Sequence, residues 1–204
     1  MDLNNKTKTY FIDLQRFIKM NNYTANSNLQ LYFNRMEIDF ENLFKFVSQF
    51  SNEELNARPE PKAWSALQVM HHLILSERGS LDYVKKKIYF GASTLKKTSA
   101  TSRLRALMLV TSLKQPIKLS APSEASDALP EMTTLQETEQ LWRTIRREVR
   151  DFLSQQNEDI LNSDCFKHPI TGKMSAWGML DFFEVHFSRH FKQIKTTIRK
   201  VERF

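Results

Sequence analysis

Hydrophobic residues recur at steps of three and four along most of this chain, and no other feature restricts its fold as strongly. That spacing places them on one face of an α-helix. The 204 residues include only four glycines and six prolines, so few positions interrupt such helices. The sequence therefore predicts an all-α protein.

The pattern divides into four long amphipathic helices, two of them in the first half of the chain. The first runs from about Asn28 to Gln49. The second follows Ser65, where Gln68 completes a capping box, and it runs to about Phe90, where Gly91 stops it. The residues predicted to face inward from these helices are Leu31, Met36, Phe40, Leu43, Phe44, Val47, Met70, Leu73, Ile74, Leu81, Val84 and Ile88.

The other two long helices lie in the second half of the chain. Thr134 and Glu137 form another capping box, which opens a helix to about Gln155. The last helix begins at Met174 or Ser175 and runs close to the end of the sequence. The apolar positions that define these two helices are Leu141, Ile145, Val149, Phe152, Trp177, Leu180, Phe187, Phe191, Ile194, Ile198 and Val201.

The segment between the second and third long helices is less regular. It is predicted to hold a short helix in residues 95–114 and then a loop with Pro116, Pro122 and Pro130, long enough to be a crossover connection. Four long helices with one long crossover make a four-helix bundle, a fold that builds metal sites from side chains on facing helices.

Residues 28–204 are predicted to form one domain, because a chain of this length can bury a sufficient core without disulfides. Residues 1–27 differ from the rest, since a few apolar residues are followed there by an asparagine-rich stretch. We interpret them as an N-terminal extension or a peripheral helix. A targeting peptide is less consistent with them, because Asp2 and Asp13 are atypical of transit sequences.

Cysteine content and hydropathy indicate the compartment. The single Cys165 excludes an internal disulfide and fits a reducing cytoplasm. We interpret it as a small loop residue and not as a nucleophile. No apolar run approaches the roughly 18 residues that a transmembrane helix needs, and no secretory signal is recognisable. The sequence predicts a cytoplasmic protein with no membrane partner.

The formal net charge of +7 raises the question of a nucleic-acid partner. The basic residues, however, lie on separate segments, at 85–87, 96–97, 143–150 and 199–203. The last two groups are typical of solvated helix faces and basic final turns. No nucleic-acid motif accompanies the charge, so no such partner is expected.

Two histidines on the last helix indicate metal chemistry. His186 and His190 are four residues apart, which puts both imidazoles on one helix face and within reach of one ion. Two ligands are too few for a stable site, and His71 or His72 on the second helix can supply the third. Helical phase does not choose between those two neighbours.

Glu77 lies within the apolar stripe of the second helix, which is unusual for a carboxylate. A buried carboxylate needs a compensating partner. A metal ion and a salt bridge to a neighbouring helix explain its position equally well.

Three segments together resemble the DinB superfamily, and most closely its DinB-like, YfiT-type metal-dependent hydrolases. They are PKAWSALQVMHHL at 61–73, HPITG at 168–172 and HFSRHFKQI at 186–194. The resemblance covers about residues 28–204. It implies that His72, His186 and His190 bind a divalent metal ion, zinc or nickel before iron or manganese. His71 would then be a neighbouring polar residue, and His168 would hold its turn by a backbone hydrogen bond.

The resemblance also implies a transferase or hydrolase that acts on a small-molecule substrate with water or a low-molecular-weight thiol as nucleophile. Glu77 is the candidate for the proton acceptor. The alternative is a non-catalytic helical bundle that serves in dimerisation or stress-related binding. A homodimer through helix faces is expected in either case, with the aromatic side chains of Phe33, Phe90, Trp142 and Phe204 available for contact.

Overall fold

The computed structural model describes residues 25–115 and 128–202. In these ranges the chain is mostly helical, which confirms the all-α prediction. The helices are α1 Ala25–Val47, α2 Asn52–Asn56, α3 Ala66–Gly91, α4 Ala100–Lys114, α5 Leu135–Ser154, α6 Glu158–Leu161 and α7 Ala176–Val201. A 3-10 turn at Ala92–Thr94 follows α3, and strands β1 (Phe166–His168) and β2 (Gly172–Met174) form an antiparallel hairpin before α7.

Local capping sets the starts of the long helices. Ser65 and Gln68 form the predicted capping box at the start of α3, and Thr134 and Glu137 form the one at α5. The Ser175 hydroxyl accepts a hydrogen bond from the backbone N–H of Gly178 and starts α7, as predicted. These bonds satisfy amide groups that have no partner within the helix.

The four long helices α1, α3, α5 and α7 surround one core. Helix α3 packs against α5 and α7, and α1 packs against the same two helices, while α4 covers another side of α7. Trp142 lies at the centre, fully buried, with the rings of Phe40 and Phe187 5.4 and 5.8 Å away. No helix in the described part of the chain is long and apolar enough to span a bilayer.

Several predicted orientations are wrong. Leu31 and Leu141, predicted to face inward, are 49% and 41% exposed. Phe33 and Trp142, proposed as free aromatic residues for a dimer contact, are buried within the chain. Adjacent residues on a helix point about 100° apart. An error of about half that angle in the assumed rotation of the helix is therefore enough to make Trp142, and not Leu141, the residue that faces the core.

The connections differ in part from the prediction. The turn at 168–172, which His168 was predicted to hold, belongs to the β1–β2 hairpin, whose three-residue strands are too short to show alternation in the sequence. The predicted helix at 95–114 begins only at Ala100, after Ser99 as its N-cap. Pro116 and Pro122 of the predicted crossover, residues 1–24 and Phe204 lie outside the described residues.

A polar cluster links α1 to α7 on a different face from the two histidines. The Tyr32 hydroxyl donates a hydrogen bond to Asp181, and Arg35 forms an ion pair with Glu184. Burial raises the pKa of Asp181 from 3.8 to about 6, although the bond from Tyr32 opposes that shift. The folded state therefore favours the protonated form of this carboxyl group.

We expect Asp181→Asn to stabilise the protein at pH 7. Because the pKa of Asp181 is raised on folding, its contribution to stability is complete below about pH 4 and is lost as the pH rises through about 6. The variant keeps an acceptor for Tyr32 and removes this loss. Since Asp181 is only partly shielded from solvent, the gain should be about 1 kcal/mol. Urea unfolding at pH 4 and pH 7 measures it, and a gain of equal size at both values would contradict the argument.

Candidate metal centre

Helices α3 and α7 bring three histidines together. His186 and His190 lie one turn apart on α7, each 9% exposed, and His72 faces them from α3. The Nε2 atom of His186 is 3.2 Å from Nε2 of His72 and 3.0 Å from Nε2 of His190. Among the described residues, these three form the group of metal-ligating side chains whose ligand atoms all lie within 4.8 Å of one another.

These distances fit a shared metal ion. Two imidazole nitrogens bound to a tetrahedral ion at 2.0–2.1 Å stand about 3.3 Å apart, close to the observed 3.0 and 3.2 Å. One imidazole N–H donates only one hydrogen bond, so His186 cannot donate to both neighbours at once. A divalent ion would instead accept the lone pairs of all three nitrogens, and the donor set is therefore suited to it.

The protein holds all three imidazoles in the form that binds metal. Burial lowers the pKa of His72, and it lowers the pKa of His190 to about 4. The pKa of His186 lies well below its usual value, because of burial and then because of the neighbouring histidines. Neutral imidazole is the species that coordinates transition metals, so the three rings are ready to bind at neutral pH.

Neighbouring side chains fix the orientation of the rings. The Nδ1–H of His190 donates a 2.7 Å hydrogen bond to Oε1 of Gln193, which leaves the lone pair on Nε2 directed at the other histidines. Phe182 stacks on His186 at 4.8 Å between ring centroids, and Trp64 packs against His72 at 5.1 Å. Each of the three rings is thus held by a hydrogen bond or by an aromatic contact.

Comparison with known families agrees with this geometry. The family model of the DinB superfamily matches residues 35–194, which contain all three histidines. The chain belongs to the DinB superfamily. The predicted resemblance is therefore confirmed at the level of the superfamily. No curated protein and no solved structure matched the chain.

The other two histidines of this DinB domain have different partners. The His71 Nε2 atom lies 3.2 Å from the Thr138 hydroxyl on α5, outside the group of three. His168 accepts hydrogen bonds at Nδ1 from the backbone N–H groups of Ile170 and Thr171, at 3.2 and 3.4 Å. Its predicted role of holding the turn is confirmed.

Glu77 forms a salt bridge with Arg146. Its carboxylate accepts hydrogen bonds from Nε and Nη2 of Arg146 and from the indole N–H of Trp142, all on α5, at 3.0–3.3 Å. Glu77 is 3% exposed and does not belong to the group of potential metal ligands. Of the two explanations for its burial, the ion pair is the one that the structure shows. A role as proton acceptor stays a prediction.

Sequence reasoning missed two residues that orient the histidines of this group, Gln193 and Phe182. The spacing could have indicated both residues, because Gln193 lies three residues after His190 and Phe182 lies four residues before His186, on the same helix face.

Cys165 is buried next to β1, and burial raises the pKa of its thiol to about 11, in agreement with its interpretation as an inert residue.

We expect Gln193→Leu to weaken metal binding by about ten- to a hundredfold, because the Nδ1–H of His190 loses its acceptor and the ring loses its fixed orientation. Gln193→Glu, which keeps an acceptor at the same place, is the matched control and should bind at least as tightly as the wild type. Competition with a fluorescent zinc chelator measures both variants. If Gln193→Leu bound zinc with the same affinity as the wild type, Gln193 would have no role in the site.

Proposed function

We propose that this DinB protein binds one divalent metal ion through His72, His186 and His190 and uses it in a transferase or hydrolase reaction. The observation that carries the proposal is the convergence of three imidazole nitrogens, two from the buried rings of His186 and His190 and one from the half-buried ring of His72. Three protein ligands leave room for a fourth from solvent or substrate, which is typical of catalytic metal sites.

The chemistry follows from the donor set. A divalent ion in this site would lower the pKa of a water molecule or a small thiol and so supply a nucleophile at neutral pH. The three histidines add no negative charge, so they do not offset the charge of the ion. Imidazole ligands suit zinc and nickel, which we propose first, and they also accept iron and manganese. The substrate is a small molecule, with a low-molecular-weight thiol as the candidate nucleophile.

The non-catalytic alternative has one observation in its favour. Among the described residues, no carboxylate joins the histidines in the potential metal group, and Glu77 is engaged by Arg146 and Trp142. A general base is therefore not in place beside the three nitrogens. In this alternative the bundle serves in dimerisation or stress-related binding, with the metal bound weakly or not at all.

The remaining proposals concern architecture and assembly. The ring of α1, α3, α5 and α7 supports a DinB-like four-helix bundle, with the crossover between α4 and α5. We propose a cytoplasmic homodimer, since isologous contacts are the commonest soluble assembly. Light scattering at micromolar concentration tests the dimer, and a monomer at all concentrations would refute it.

Metal analysis separates the two functions. Protein purified without a histidine tag should contain close to one metal ion per chain by mass spectrometry if the enzyme proposal is right. A screen of metal-loaded protein with thiols and electrophiles, and with ester and amide substrates, then tests for turnover. Metal content far below one per chain, with no gain on addition of zinc or nickel, would favour the non-catalytic alternative.

A further inference from the structure

The C-terminal end of α3 exposes two adjacent aromatic side chains. Tyr89 is 83% exposed and Phe90 is 77% exposed, and their rings meet edge to face with centroids 4.8 Å apart. Single exposed hydrophobic residues are ordinary on a protein surface, but an exposed aromatic pair is a contiguous apolar patch. Apolar patches with a polar rim are typical of interaction sites.

Four lysines flank this pair in the sequence. Lys86 and Lys87 precede it on α3, and Lys96 and Lys97 follow the 3-10 turn at Ala92–Thr94. Because this turn is short, both pairs of lysines lie at the C-terminal end of α3. Lys86, Lys96 and Lys97 are exposed, and none of the four forms an ion pair with a described residue, whereas the neighbouring Lys85 pairs with Glu148. These four lysines with Tyr89 and Phe90 constitute the basic aromatic tip.

The backbone of the tip is anchored independently of its side chains. The carbonyl oxygen of Lys96 accepts a 2.9 Å hydrogen bond from the N–H of Asp164, and Lys97 forms a β-bridge with Ser163. The Thr98 N–H donates to the carbonyl oxygen of Asn162 at 2.9 Å. The lysine and aromatic side chains therefore stand on a fixed support and can be exchanged without disturbing it.

The shape and charge of the tip select one class of partner. Side chains more than three-quarters exposed protrude, whereas single-stranded nucleic acids bind in basic grooves. A second copy of the chain would bring four more lysines against these four, and like charges oppose that contact. Protruding aromatic rings beside lysines match the interface of an anionic membrane, where rings settle among headgroups and lysines face acidic lipids.

The sequence prediction of no membrane partner rested on the absence of a transmembrane helix and does not address surface binding. We propose that the basic aromatic tip binds the surface of anionic phospholipid bilayers. Phe90 and Tyr89 enter the headgroup layer, while Lys86, Lys87, Lys96 and Lys97 provide attraction to the acidic lipids. Each lysine near the surface contributes about a fivefold gain in affinity. The attachment is peripheral and reversible, and it weakens in high salt, which screens exposed charges.

Co-sedimentation of the full chain with vesicles tests the proposal. One set of vesicles contains phosphatidylserine and phosphatidylcholine, and the other contains phosphatidylcholine alone. The protein should bind the first set and not the second, and it should be released at high salt. Phe90→Ser should reduce the affinity about tenfold, and Lys96→Gln with Lys97→Gln should reduce it about twentyfold.

Arg58→Gln with Lys62→Gln is the matched control. It removes the same charge from two exposed residues before α3, at the opposite end of that helix, and should leave the vesicle affinity unchanged. Equal losses in this control and in the Lys96/Lys97 variant would overturn the proposal, because net charge alone would then explain binding. It would also be overturned if the protein ignored phosphatidylserine vesicles, if it preferred single-stranded RNA to them, or if Phe90→Ser abolished self-association and left vesicle binding intact.

Discussion

Arg146→Ala is expected to lower the free energy of unfolding by about 3–5 kcal/mol. The Arg146 guanidinium pairs with Glu77, donates a 2.7 Å hydrogen bond to the carbonyl oxygen of Met36, and lies about 5 Å from the rings of Phe40 and Trp142. Alanine leaves the carboxylate of Glu77 buried with only the Trp142 N–H as a partner. Urea unfolding followed by circular dichroism measures the loss.

Two further variants show whether the loss arises from the uncompensated charge. Arg147→Ala changes the next residue on α5, which is exposed, and should stay within about 0.5 kcal/mol of the wild type. The double variant Glu77→Leu with Arg146→Met replaces the ion pair by apolar side chains and should recover most of the stability. A double variant as unstable as Arg146→Ala would mean that packing, or the lost hydrogen bonds of the Trp142 N–H and the Met36 carbonyl oxygen, outweighs the uncompensated charge.

The same double variant tests the prediction that Glu77 accepts a proton in catalysis. If Glu77 only stabilises the core, the folded double variant should keep its metal affinity and its turnover. If Glu77 accepts a proton, turnover should fall while metal affinity stays the same. The stability measurement and the activity measurement thus give separate answers for one residue.

The features that the sequence predicted correctly depend on local interactions. Ser65 with Gln68 and Thr134 with Glu137 form capping boxes within four residues, so they locate the starts of α3 and α5 without knowledge of the fold. The pairing of His186 with His190 is likewise set by the helical repeat alone. The resemblance to the DinB superfamily then selected His72 as the third member.

The predictions that were wrong or left open concern contacts between residues that are distant in the sequence. The partner of Glu77 is Arg146, 69 positions away, and no local pattern indicates it. Which face of α5 turns inward is decided by α1 and α3, so Trp142 replaced Leu141 in the core. His71 and His72 are adjacent, and helical phase does not distinguish them; the packing of α3 against α7 and α5 brings His72 to the other histidines and His71 to Thr138.

His190→Ala should reduce metal affinity by at least about a hundredfold, because two imidazoles rarely hold a divalent ion against water and buffer. The metal-free protein should remain helical and soluble, since the core does not depend on this side chain. The stability lost in the presence of metal should equal the contribution of ligand binding to the wild type. Isothermal titration with zinc and circular dichroism measure the two effects.

His71→Ala is the matched control, because His71 adjoins His72 on α3 but faces Thr138 and not the other histidines. It should bind zinc as the wild type does. If His71→Ala lost as much affinity as His190→Ala, the assignment of the ligands would be wrong. If His190→Ala unfolded the protein, the site would be structural, and the proposal of catalysis would lose its main support. Retention of turnover by His190→Ala without bound metal would mean that the reaction does not depend on the proposed metal centre.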